Sequence, residues 1–160
     1  MPVFIIPYAS INFFFVGAPF VIRSHRQLAT FAKRIVSAML ISAICFLLIP
    51  LRFGFAVPPA HGFIGALFDA LHGFDRPFNE FPSLHVAFCV ILADTYLRRS
   101  KGFLKLVLAI WFVLILVSTL FTYQHHFVDV LGGLVVALIC IVLFRDDGGI
   151  RRKSFRDASA

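Results

Sequence analysis

Two short stretches hold residue types that can move a phosphoryl group. The first, Asn79-Glu80-Phe81-Pro82-Ser83-Leu84-His85, leads into an apolar run. Proline fits the first turn of a helix, where its missing N–H costs nothing, so Pro82 is expected in a helical first turn. The free N–H groups and positive dipole end of such a turn can hold an anion. Ser83 adds a hydroxyl donor, and His85 follows in the same turn. The second stretch, Thr122-Tyr123-Gln124-His125-His126-Phe127-Val128-Asp129, leads into the last apolar run. His125 and Asp129 are four apart, so on a helix they share a face and can hydrogen-bond. A carboxylate on one ring nitrogen fixes the tautomer and leaves the other nitrogen free to attack. With Arg52 and Arg76, the chain offers a nucleophile with its orienter, a second histidine as acid, an anion-binding helix start and two cations. Phosphoryl transfer requires those parts, because most of its catalysis is positioning and charge stabilisation.

The elements that must carry these residues are apolar. Of 160 residues, 60% are AVILMFWYC and 14% are charged, with a mean hydropathy of +0.92. A soluble domain carries about 25% charged residues, and this chain has too little polar surface to cover a water-soluble body. That excludes a soluble enzyme, a disordered linker and a nucleic-acid-binding domain, despite a pI near 9.9. The expected fold is all-α: a polytopic membrane helical bundle forming one domain over residues 1–145, followed by a basic cytoplasmic tail over 146–160. A bilayer core takes about 20 apolar residues in a helix. Runs at 3–22, 35–51, 84–97, 103–121 and 128–144 give five expected spans. In the connector 52–83, Phe63, Ile64, Leu67, Phe68 and Leu71 recur at helical spacing, the pattern of a short interfacial helix. No basic residue precedes the first run and no A-x-A site follows it, so a cleavable signal is not expected. Cys45, Cys89 and Cys140 lie in different apolar runs with no metal or redox spacing, and read as packing residues.

All 15 bases except Arg52 and Arg76 fall on 23–34, 98–105 and 145–156, that is, on every second connection. The positive-inside rule puts those segments in the cytoplasm, with the N-terminus outside and the C-terminus inside. The outer side then receives every histidine but His25, together with Asp69, Asp75, Glu80 and Asp129. Titratable groups at a bilayer boundary are costly unless solvated or paired, and their concentration at one face points to a site there.

At these residues the chain resembles the type 2 phosphatidic acid phosphatase (PAP2) superfamily, which shares its core with vanadium-dependent haloperoxidases. Pro82-Ser83-Leu84-His85 is similar to the family's second motif, P-S-G-H. Ser118-Thr119 followed by His125 and Asp129 is similar to its third, S-R-x5-H-x3-D. The leucine variant and the run from Tyr123 to Gly133 resemble most the inositol phosphorylceramide synthase-like branch and its compact bacterial relatives, which implies a bacterial inner membrane. The resemblance covers roughly residues 50–133. It implies that His125 attacks phosphorus and forms a phosphohistidine, that Asp129 orients it, that His85 protonates the leaving group, and that Ser83 helps bind phosphate. The first motif, K-x6-R-P, is not intact: Arg76-Pro77 has Asp69 where lysine would stand, so Arg52 is preferred as its arginine and Arg76 kept second. Thr119 replaces the third-motif arginine, which leaves the pocket one or two cations rather than three. The family core has six spans against five here, and the span expected to be missing is the first, which carries no motif.

The expected activity is a metal-independent lipid phosphate or diphosphate phosphatase with no cofactor, at the outer leaflet boundary. Phosphatidic acid, phosphatidylglycerol phosphate and an isoprenyl diphosphate are candidate substrates, since a site at that depth meets headgroups first. A transferase that hands the phosphoryl or head group to an alcohol would use the same His125 and His85. A scaffold without activity would use His125 and Asp129 as a polar couple between helices. A metal site at His85, His125 and Asp129 lacks an HxH or HExxH frame. His126 reads as a neighbour facing the headgroups, His61 and His72 as flanks of the interfacial helix, Asp94–Arg98 as a snorkelling ion pair, and Trp111 as packing.

Overall fold

The computed structural model describes residues 2–49, 62, 65, 81–122 and 125–145. A 3-10 turn, Pro2–Phe4, leads into α1 (Ile5–Val21); α2 (His25–Leu48), α3 (Leu84–Leu97), α4 (Gly102–Phe121) and α5 (Phe127–Leu143) follow. The described residues form an all-helical bundle of these five helices. The apolar runs locate four of them to within two residues. Arg52, Arg76, the expected interfacial helix and the basic tail lie outside the described residues, apart from Gly62 and Gly65.

The second helix differs from expectation. It starts at His25, well before the apolar run, because Ser24 caps it, its side chain accepting the Gln27 N–H at 3.2 Å. No Gly or Pro interrupts the stretch that follows. The apolar run marked where the helix is greasy, not where it begins, so Arg26, Lys33 and Arg34 sit on α2 rather than in a connector.

Helix α3 is the centre. It is apolar on all sides, and it buries Val86, Ala87, Cys89, Ile91, Leu92, Thr95 and Tyr96. It packs against all four other helices, with α1 paired to α4 on one flank and α2 paired to α5 on the other. Helices α1 and α2 flank α3 without packing closely on each other. Polar contacts fasten the flanks. The Tyr96 hydroxyl donates to the Phe14 carbonyl at 2.9 Å, and the Trp111 indole N–H donates to Ser10 Oγ at 3.0 Å. Trp111 is thus more than packing: it ties α4 to α1. At the end of the bundle where α3 and α5 finish, the buried Arg34 donates from Nε to the Phe144 carbonyl and from Nη1 to Asp94 Oδ2, each at 2.8 Å. The expected pair of Asp94 with Arg98 is present at 2.6 Å, so Asp94 joins two arginines.

The outside of the bundle is greasy. Phe13, Phe20, Leu47 and Phe103 are between 81% and 86% exposed. Helices α2 and α4 are long and apolar enough to cross a membrane, and α1, α3 and α5 are shorter apolar helices. Cys89 and Cys140 are buried and Cys45 half-buried, all three as free thiols, as expected of packing residues.

Candidate active site

The site forms where α3 and α5 begin. Pro82 is not in the helix. It stands one residue before the cap, after a cis Phe81–Pro82 bond, and Ser83 is the N-cap of α3. Ser83 is fully buried; its Oγ accepts the Val86 N–H at 3.3 Å and its carbonyl accepts the Ala87 N–H at 3.1 Å. The first-turn amides that remain for an anion are therefore those of Leu84 and His85. Helix α5 begins at Phe127, so His125 precedes it and only Asp129 is helical. The two do not share a helix face as the four-residue spacing predicted. Their side chains still meet, with His125 Nδ1 3.9 Å from Asp129 Oδ2, an ion-pair distance rather than a hydrogen bond. Asp129 Oδ2 accepts the His126 N–H at 2.7 Å, which fixes the carboxylate against the chain that carries His125. His126 serves as N-cap of α5.

A backbone bond joins the two stretches: the Ser83 N–H donates to the Asp129 carbonyl at 3.0 Å. So close an approach needs Gly132 and Gly133. A Cβ at Gly133 would run into the Ser83 carbonyl oxygen and come within 2.9 Å of the Val86 side chain; one at Gly132 would lie 2.6 Å from the Phe81 ring. The pair of glycines lets α5 lie directly on the chain that enters α3.

His85 and His125 line one cavity of about 350 Å³. Its walls come from α1 through Tyr8, Ile11, Asn12 and Phe15, from α2 through Phe46, and from α3 through Leu84 and Phe88. It occupies the gap left because α1 and α2 do not close on each other. His85 Nε2 is buried without a hydrogen-bond partner among the described residues, and the ring stacks on Tyr8 with centroids 3.9 Å apart and planes 10° from parallel. A buried polar atom with no partner asks for an explanation, and proton transfer to a bound group is one. Arg52 and Arg76 lie outside the described residues, and Thr119, in the third-motif arginine position, is buried with its hydroxyl on the Leu116 carbonyl at 2.7 Å. Among the described residues no group of three or more His, Cys, Asp or Glu is placed to hold a metal ion.

The residues that sequence reasoning missed are on α1. Tyr8 and Asn12 interrupt its apolar run, but a span without a motif reads as a lipid-facing wall.

The PAP2 superfamily profile matches residues 2–143, which takes in all five helices. The chain belongs to the PAP2 superfamily. The match starts at α1, so it is wider than the region 50–133 on which the motifs fall. No curated protein and no solved structure matches the chain. PAP2 membership brings phosphatase- or phosphotransferase-type chemistry in general. The arrangement suits that chemistry: two imidazoles on one cavity, a carboxylate beside one of them, and a buried capping hydroxyl where the other's helix starts.

Proposed function

We propose that the protein is a lipid phosphate phosphatase that works through a phosphohistidine. The carrying observation is that His85 and His125, from different helix starts, line one cavity while Asp129 stands beside only one of them. That asymmetry separates the roles. His125 has its Nδ1 side towards the carboxylate, and Nε2 is the atom that attacks phosphorus. The P–N bond forms as the ester P–O bond breaks, and the leaving oxygen takes a proton from His85. His85 then removes a proton from water, whose oxygen displaces His125 and releases phosphate. Ser83, the first-turn amides of α3, and Arg52 and Arg76 meet the charge of the phosphoryl oxygens, so the reaction takes no metal.

The substrate is a phosphate or diphosphate on a lipid anchor. An apolar bundle exterior and a cavity between α1 and α2, walled by Ile11, Phe15, Phe46 and Phe88, favour a ligand with an acyl or isoprenyl chain. In this reading five spans cross the membrane, and the site faces the extracytoplasmic side, opposite the basic end.

Purified wild type and His125→Ala, each given a panel of lipid phosphates with and without EDTA, test the proposal. Phosphate release by wild type alone, unchanged by EDTA, is expected. Equal release by both would reject His125 as nucleophile, loss with EDTA would reject the metal-free step, and release only with an added alcohol would favour a transferase.

A further inference from the structure

Resting on the assignment of His85 as leaving-group acid, we propose that Tyr8 is the positioning residue of that acid. A catalytic histidine is commonly aimed by a hydrogen bond from its second nitrogen to a carboxylate or carbonyl. For His125 the neighbouring carboxylate is Asp129, 3.9 Å from Nδ1. His85 has no equivalent: its Nε2 is buried without a partner among the described residues. What holds its plane is the face of Tyr8, 3.9 Å away and 10° from parallel. A flat neighbour at that distance blocks rotation of the imidazole out of its plane, so its nitrogens stay directed along the edge of the stack.

Tyr8 can do this because α1 is itself fixed. Tyr8 is 5% exposed, and Ile5 and Ile11, on the same face of α1, are buried with it. Phe4 stacks on Phe121 at 4.7 Å, and Ser10 takes the Trp111 N–H, so both sides of Tyr8 are tied to α4. The first helix, which carries none of the family motifs, thereby becomes part of the acid's mounting.

The role has a signature that packing does not. Breaking the P–O bond leaves an electron pair on the departing oxygen. A lipid alkoxide needs the proton from His85 as that happens, whereas p-nitrophenolate is stable without it. Misaiming His85 therefore penalises lipid phosphates more than aryl phosphates. A general loss of structure penalises both alike.

The test uses the purified full chain in detergent with short-chain phosphatidic acid and p-nitrophenyl phosphate. For Tyr8→Leu, the ratio of kcat/KM on the lipid to kcat/KM on the aryl phosphate, which reads the departure of the leaving group and not the shared hydrolysis of the phosphohistidine, is expected to fall about tenfold or more. Tyr8→Phe, which keeps the ring, restores the ratio. His85→Ala lowers it in the same way, and adding Tyr8→Leu to His85→Ala lowers it no further. Equal losses on both substrates, or a further fall in the double variant, would overturn the proposal. Should the leucine variant not survive purification, the wild type decides through NMR. The His85 ring protons, assigned by their loss in His85→Ala, are expected upfield under the Tyr8 ring, and unshifted protons would overturn the stack. If His125→Ala keeps full activity, the phosphatase reading fails and takes the role of Tyr8 with it. If His125→Ala is inactive but the substrate ratio is untouched by Tyr8→Leu, only the role of Tyr8 fails.

Discussion

Asp129 has two duties that one substitution can separate. Its Oδ2 accepts the His126 N–H and its charge faces the His125 ring. Asp129→Asn keeps an oxygen for the amide and removes the charge. Stability is expected to change by less than about 1 kcal/mol, the typical worth of a cap, while kcat falls about 100-fold or more, as a nucleophilic histidine without its orienter should. Thermal denaturation and phosphate release on one preparation check both. Equal losses in stability and rate would reduce Asp129 to a cap. At this scale the spacing of His125 and Asp129 was legible, but its helical geometry was not, because the helix starts two residues later than His125. Tyr8 was not legible at all: its partner comes from a distant part of the chain, and nothing local marks a tyrosine for stacking on a histidine.

The elements bring the two motifs together through a close approach. The Ser83 N–H bond to the Asp129 carbonyl exists only while α5 can lie on the chain entering α3, and Gly133 permits that. Gly133→Ala puts a methyl group against backbone, which cannot yield as the tip of a side chain would. The expected result is a loss of about 1–3 kcal/mol in stability and at least about a tenfold loss of kcat, since small misplacements of reacting groups are costly. Helical circular dichroism should be retained; full activity would show that the approach is not needed. Apolar runs found the helices because each must present a greasy surface, and they missed the start of α2 because its first turns are polar. That α3 is the centre was not foreseen: its uniform apolarity fits a lipid-facing helix equally well, and only packing decides.

Among the described residues, the lysines and arginines gather at one end of an apolar body and the site histidines at the other. At the end away from the cavity, Arg34 joins α2, α3 and the end of α5 through Asp94 and the Phe144 carbonyl. Arg34→Ala leaves Asp94 to Arg98 alone and the Phe144 carbonyl without its donor, so it is expected to cost about 1–3 kcal/mol. The apolar pair Arg34→Met with Asp94→Leu should recover much of it, as measured by thermal unfolding in detergent. An unchanged midpoint in Arg34→Ala would mean that the cluster is solvated. The proposed catalysis depends on His125 taking up phosphorus at the other end. The most direct measurement is to quench the protein at alkaline pH during turnover of a 32P-labelled lipid phosphate and map the label by digestion. Label confined to the peptide containing His125, and absent from His125→Ala, is the expected result. Turnover with no trapped label, or label that persists in His125→Ala, would contradict the account.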